Sequence, residues 1–365
     1  MQTILVLLKI ATTKMNLDLL LPWCLDKLQL IHICHFQIQG AIGLFKYFLL
    51  TNSCMADVRY GVAGDPIAHS LSPILASIVH SHLVANESVK ETPDLKGVSI
   101  VPSNGIENAL AWAYAGTLPT TPDWELVDSP LGKFRGNTLL QRAVDSAMEI
   151  ERPDDRLPNC NLPGEETKIP PRGHEEVWMS LTSPLKHQLS MAAVRYLGSA
   201  MESSSVNSLR WDGRSWWAAT TDGDGVLMVA EAFGHQCNGV LGIIGGGGTA
   251  RSTAAAWCSR GGMINQVGGR RLLDEEGPWE LCDEEPNILI DFENDDGLIS
   301  IRYSPMDGDL EQRLQYLSEN ADGRWLLCAQ HLLSWARLWD PDNSENLPSL
   351  SLLLHRLVAC EVHLG

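Results

Sequence analysis

From residue 56 onward, apolar and polar positions alternate in a way that separates short strands from helices. Val58–Ala63 is an apolar run ahead of the polar turn AGDPIAHSLSP, which predicts a strand feeding a loop. ILASIVHSHLVA places apolar residues near helical spacing, and Pro73 suits the first turn of that helix. Between about 100 and 176 the pattern loosens. NGIENALAWAYAG and TLLQRAVDSAMEI read as helices, whereas ERPDDRLPNCNLPGEETKIPPRGHEE is polar and proline-rich and reads as an exposed loop. Val177–Leu181 predicts a strand closed by a turn at Ser183–Pro184, with a helix expected through HQLSMAAVRYLG. A strand from Val206, a turn at Asp212–Gly213 and a second strand through SWWAA predict a hairpin.

DGDGVLMVAEAFG then reads as a helix, and GVLGIIGGGGTARSTAAAWCSRGG as a buried strand, a glycine loop and a helix beginning near Arg251. That order is half of a doubly wound nucleotide fold. MINQVGG, NILIDF and GLISIRY are expected as further strands, and the chain is helical from Trp325 through Trp339 and from Leu347 to Val362. The fold class is therefore α/β in two domains, an N-terminal α/β substrate domain and a Rossmann-type doubly wound nucleotide domain.

The first 54 residues differ from the rest. They carry four Lys and two Asp, are rich in Leu and Ile, and hold three of the nine cysteines. ILVLL is too short for a secretory signal, and the window Leu28 to Phe45 contains three Gln and two His, so it inserts poorly into a membrane. Two readings stay open: an over-extended reading frame ahead of a start at Met55, or a peripheral helical extension.

At 365 residues, 44% apolar and 20% charged, the chain can bury a sizeable core. Its formal net charge of −18 repels phosphate backbones and anionic headgroups, so neither nucleic acid nor a membrane surface is an expected partner. The cysteines form no CxxC pair and no close Cys/His cluster. That pattern points to a reducing cytoplasm and gives no metal site.

Gly245-Gly246-Gly247-Gly248-Thr249-Ala250 has the spacing G-x-G-x-x-A between a strand and a helix, where free helix N–H groups meet a pyrophosphate. The next strand ends VGGRR. Arg270 and Arg271 suit a 2′-phosphate, and no carboxylate follows until Asp274, which favours NADP over NAD. SLTSPLKHQL sets Lys186 in a turn after a strand, and TTDGDG sets Asp222 ahead of a helix. An amine and a carboxylate at the mouth of a cleft can pass a proton to an alkoxide as hydride arrives. Spacing alone does not join the two.

Taken in order over Tyr60 to Trp339, these motifs resemble the shikimate dehydrogenase family. The resemblance implies that Ser70 and Ser72 grip a substrate carboxylate. It further implies that Thr182, Asn207 and Gln330 contact substrate, that Lys186 is catalytic with Asp222 as its partner, and that Gly245–Ala250 with Arg270 and Arg271 hold NADP. It implies NADP-dependent reversible reduction of 3-dehydroshikimate to shikimate, on the route to chorismate and the aromatic amino acids, by a cytoplasmic monomer or homodimer. Two alternatives are an NAD-dependent quinate/shikimate dehydrogenase and a non-catalytic shikimate sensor of the same fold.

The chain departs from the family pattern in four places. Ser180 stands where Asn is usual, Asp291-Phe292-Glu293 where Asn-Ala-Thr is usual, and the common aspartate ahead of Tyr303–Pro305 is absent. Ser72 and Thr182 lie 110 residues apart, which implies an insertion near 100–176. The expected organisation is an extension over 1–55, a substrate domain over 56–219, a nucleotide domain over 220–328, and C-terminal helices over 329–365 that return to the substrate domain.

Overall fold

The computed structural model of the protein describes residues 56–86, 88–89, 91–115, 137–160, 162, 172–189, 194–294 and 297–365. The expected extension over 1–55 lies outside the described residues, as does part of the expected insertion near 100–176. Strand β1 (Asp57–Gly64) is buried from Tyr60 onward, so both of its faces are covered, as in the middle of a parallel sheet. Helix α1 (Ser72–Ala85) follows with Pro73 in its first turn. Next come strand β2 (Asp94–Pro102), helices α2 (Ile106–Tyr114) and α3 (Asn137–Met148), and strand β3 (Glu175–Leu181). Three short strands complete the first sheet: β4 (Val194–Tyr196), β5 (Ser208–Trp211) and β6 (Trp216–Ala219). The strand order is β2-β1-β3-β5-β6-β4, with β2, β1 and β3 parallel and the β5–β6 hairpin antiparallel.

After α4 (Asp222–Ala232) comes a second sheet of three parallel strands: β7 (Val240–Ile244), β8 (Met263–Gly268) and β9 (Ile288–Asp291), in the order β8-β7-β9. Helix α5 (Gly248–Ser259) makes the crossover from β7 to β8. Because the neighbours of β7 lie on opposite sides of it, a crevice opens at the carboxyl ends of β7 and β9, the usual ligand position in such sheets. The chain then forms α6 (Leu310–Glu319), α7 (Gly323–Ser334), a π-helical turn over Trp335–Trp339, and α8 (Leu350–Leu364). Helix α7 packs on α4 and α1, and α8 packs on α1 and α3, so the C-terminus rejoins the helices beside the first sheet.

Indole rings hold that junction. Trp178 meets Trp335 edge-on at 5.0 Å and stacks on Trp339 at 5.9 Å. Beneath them, Glu176 and Arg210 form a buried bidentate pair at 3.0 and 2.8 Å. The remaining polar atoms are used too: Trp178 Nε1 donates to Glu176, and Arg210 Nη1 donates to the Leu338 carbonyl.

Four expectations need correction. The helix expected through residues 187–198 is a single 3₁₀ turn, Leu185–His187, and Val194–Tyr196 is a strand paired with β6; residues 190–193 are outside the described set. Gln188 ends the turn by accepting from the Ile106 amide and donating to the Asn104 carbonyl. GLISIRY is no strand. Leu298 N makes one bond to Leu289 O, after which Ser300 N turns to Ala321 O and Gly323 N to Arg302 O, so the sheet stops at β9. Strand β2 had no counterpart in the sequence reading. Helix α5 begins at Gly248 instead of near Arg251, which makes the last glycine part of its first turn.

Candidate active site

The lysine turn is fixed by its backbone. Thr182 N donates to Ala63 O at 2.9 Å, Leu185 N to Thr182 O at 2.8 Å, and Val206 N to Lys186 O at 2.8 Å, with a cis bond at Ser183–Pro184. Leu185 is fully buried and anchors the turn, leaving Lys186 to reach across the cleft. Asp222 opens α4 and is itself fully buried. Its approach is set by Asn207, whose side chain accepts from Thr221 N at 2.7 Å and donates to Thr221 Oγ1 at 2.8 Å.

Lys186 Nζ donates to Asp222 Oδ2 at 2.5 Å and to Thr249 Oγ1 at 3.0 Å, and Thr249 Oγ1 donates to the same carboxylate oxygen at 3.1 Å. The amine and the carboxylate therefore meet in one crevice, beside the glycine loop.

That loop has a steric reason at each turn. Gly245 has φ +102°, a conformation L side chains rarely adopt. A Cβ at Gly246 would strike the Leu272 backbone, whereas Gly247, which caps α5, faces open space. A phosphate group fits over the α5 N-terminus at that opening. At Gly248 a Cβ would lie 3.1 Å from Lys186 Cβ, so the loop and the lysine turn are in near contact.

A cleft of about 780 Å³ joins these parts. Ser70, Ser72, Thr182, Asn207 and Gln330 line it, as do Lys186, all six residues of Gly245–Ala250, Arg270 and Arg271. Asp222 stands behind Lys186. Asn207 reaches the cleft with its carbonyl oxygen already committed to Thr221, so one amide N–H is left to offer a ligand. Gln330 accepts at its backbone from Thr221 Oγ1 and Ser334 Oγ, which ties α7 to the start of α4.

The field at this end of the cleft is positive. His187 is pushed below its ordinary value first by burial, then by the charges of Arg271 and Arg251. Arg251 pairs with Asp274 and lies 5.9 Å over the Trp279 ring. Glu293 intrudes from the loop after β9. Its Oε1 accepts from the Arg270 amide at 2.7 Å and its Oε2 lies 3.3 Å from Arg270 Nε.

Ser180, Tyr303 and His331 also line the cleft, and Tyr303 and His331 have no role implied by the sequence. Ser180, where the family pattern has Asn, bonds the buried Tyr60 hydroxyl at 2.8 Å. Burial raises the Tyr60 phenol above its ordinary value. Tyr303 Oη accepts from Leu71 N at 3.2 Å and donates to His69 O at 3.3 Å, and burial pushes it up to about 12. His331 is buried between the rings of Tyr60 and Trp339, neither ring nitrogen has a partner among the described residues, and burial pushes it down to about 3. The signals available were position alone: Tyr303 two residues before Pro305, and His331 next to Gln330.

No family model matches the chain, and no curated protein matches it. Among solved structures it is similar to shikimate 5-dehydrogenase from Thermus thermophilus in complex with shikimate, at TM-score 0.47 and 18% identity over 82% of this chain and 97% of that one. It is similar to shikimate dehydrogenase from Aquifex aeolicus at TM-score 0.47 and 14% identity, over 84% and 98%. It is also similar to the Mycobacterium tuberculosis shikimate dehydrogenase at TM-score 0.46 and 17% identity, over 82% and 98%. At these scores the likeness carries no functional weight, which falls on the side-chain geometry of the cleft.

Proposed function

We propose that the protein is an NADP-linked oxidoreductase that interconverts 3-dehydroshikimate and shikimate. The observation that carries this reading is the 2.5 Å Lys186–Asp222 contact in a cleft also lined by a glycine loop at a helix N-terminus. A bound nicotinamide supplies or accepts the hydride at the substrate carbon. Lys186 Nζ gives its proton to the carbonyl oxygen as that oxygen gains negative charge, and in the oxidative direction it takes the proton back. Asp222 holds the amine in place.

Ser70 and Ser72 suit a carboxylate, and Thr182, the free Asn207 N–H and Gln330 suit ring hydroxyls. Gly245–Ala250 would hold the pyrophosphate, with Arg270 and Arg271 at the 2′-phosphate. The same reading assigns a substrate domain to 56–219 and a nucleotide domain to 220–328. The helices of 329–365 return to the substrate side, in a cytoplasmic monomer or homodimer.

The test is an absorbance assay of purified protein with shikimate and each nicotinamide cofactor. Reduction of NADP is expected, and Lys186→Ala is expected to lower kcat by about 10²–10⁴-fold while shikimate affinity by calorimetry is largely retained. Undiminished turnover in that variant would remove the lysine from the mechanism. A second reading, NAD as the cofactor, is favoured by Glu293 on Arg270, and the rate ratio between the two cofactors decides it.

A further inference from the structure

We propose that Thr249 is a positioning residue of the acid–base pair: its hydroxyl holds the place beside Lys186 that a substrate hydroxyl takes, and it ties that pair to the dinucleotide loop. The inference rests on the oxidoreductase reading and gives Thr249 a role apart from the cofactor contact implied by its motif.

An ammonium has three N–H donors. Lys186 uses one on Asp222 Oδ2 and one on Thr249 Oγ1, while the threonine hydroxyl donates its own hydrogen to the same Oδ2. Amine, carboxylate and hydroxyl therefore close a three-membered ring of hydrogen bonds, two of them onto a charged acceptor and two from a charged donor. The third N–H remains for a ligand. Asp222 Oδ1 is buried without a partner among the described residues, so the carboxylate also keeps an unused acceptor. A secondary alcohol on a substrate ring has the same donor and acceptor pair as a threonine side chain. Arriving at Nζ, it takes the place of the Thr249 hydroxyl, and the third N–H stays available to a second ligand oxygen.

The hydroxyl does not move independently of the loop. Thr249 is the second residue of α5, directly after Gly248, where an added Cβ would lie 3.1 Å from Lys186 Cβ. One turn later Thr253 Oγ1 donates to the Thr249 carbonyl, and Ser252 Oγ accepts from Gly223 N and from Thr220 Oγ1. The start of α5 is thereby keyed to the start of α4, where Asp222 sits. A phosphate group docking on that helix end acts on the same turn that orients the amine.

The test compares wild type with Thr249→Val, which keeps the side-chain shape without the hydroxyl, and Thr249→Ser, which restores it. Acetylation of Lys186 by an amine-reactive reagent, read by mass spectrometry on the protein without substrate, is expected to speed up about five- to tenfold in T249V and return near wild type in T249S. In the assay with shikimate, T249V is expected to lose about tenfold in kcat, while NADPH affinity by fluorescence stays within about twofold. Equal Lys186 labelling in wild type and T249V overturns the proposal, as does an unchanged kcat, or a loss of NADPH affinity with labelling unaltered. Should wild type turn over no shikimate, the oxidoreductase reading fails, and the labelling comparison still decides whether Thr249 holds the amine.

Discussion

Glu293 accepts from the Arg270 amide through one carboxylate oxygen and faces the guanidinium with the other, so an anion reaching for Arg270, which the proposed function takes to be a 2′-phosphate, first meets a negative charge. Arg270 is 87% exposed, which limits the pair to at most about 1 kcal/mol. Glu293→Gln is expected to tighten NADPH binding by up to about fivefold and to leave NADH nearly unchanged. Parallel fluorescence titrations with the two cofactors check this, and equal shifts for both would show that the carboxylate does not discriminate. The glycine loop and the arginines after β8 were readable from the sequence because their chemistry is local. The Lys186–Asp222 pair followed only from the family resemblance, since 36 residues separate its partners and spacing alone does not join them. Thr249 was legible as a loop residue, but the direction of its hydroxyl depends on where α5 starts. Glu293 stood out as a departure, yet its contact with Arg270 needs the crevice between β7 and β9.

Strands β3 and β5 carry between them the most buried charge pair of the first sheet, with Arg210 and Glu176 almost without exposure. Both carboxylate oxygens of Glu176 and all three guanidinium nitrogens of Arg210 are hydrogen-bonded, partly to Trp178 and to the turn at Leu338, so the pair locks the C-terminal segment onto the sheet. Removing one partner strands the other. Glu176→Leu is expected to cost about 3–5 kcal/mol in urea unfolding, and the double variant with Arg210→Met to recover much of that loss. A double variant no better than the single one would mean that the ionic pair itself supplies net stability. At this scale the sequence was informative where one signal ruled: the hairpin turn at Asp212–Gly213, Pro73 opening α1, and the apolar run of β7. It failed where tertiary pairing overrode local pattern. Val194–Tyr196 sits in a helix-like stretch but finds the open edge of β6, and the apolar GLISIRY segment spends its backbone bonds on the entry to α7.

The whole molecule is acidic, with a net charge of −18, yet the glycine-loop end of its cleft gathers Lys186, Arg270, Arg271 and a helix N-terminus. Such a local field raises the concentration of a small polyanion in the cleft while the rest of the surface repels extended ones. The same acidity shapes the response to pH, because acidification relieves surface repulsion while buried histidines oppose it. His331 stays neutral in the fold down to about pH 3, and burial together with the Arg356 charge lowers His82 to about 4. In the unfolded chain, histidines bind protons near pH 6.5. Between 6.5 and those lower values the unfolded state therefore holds more protons than the fold, and stability falls as pH falls. For His331 the slope is about 1.4 kcal/mol per pH unit, or about 2 kcal/mol between pH 6.5 and 5. His331→Phe keeps an aromatic ring against Tyr60 and Trp339 and removes the titration. Surface repulsion is common to both proteins and cancels in their difference. Urea unfolding at pH 5 and at pH 7 is then expected to show the variant gaining about 2 kcal/mol on wild type at the lower pH, and parallel pH curves for the two proteins would mean that the ring accepts a proton without leaving its site.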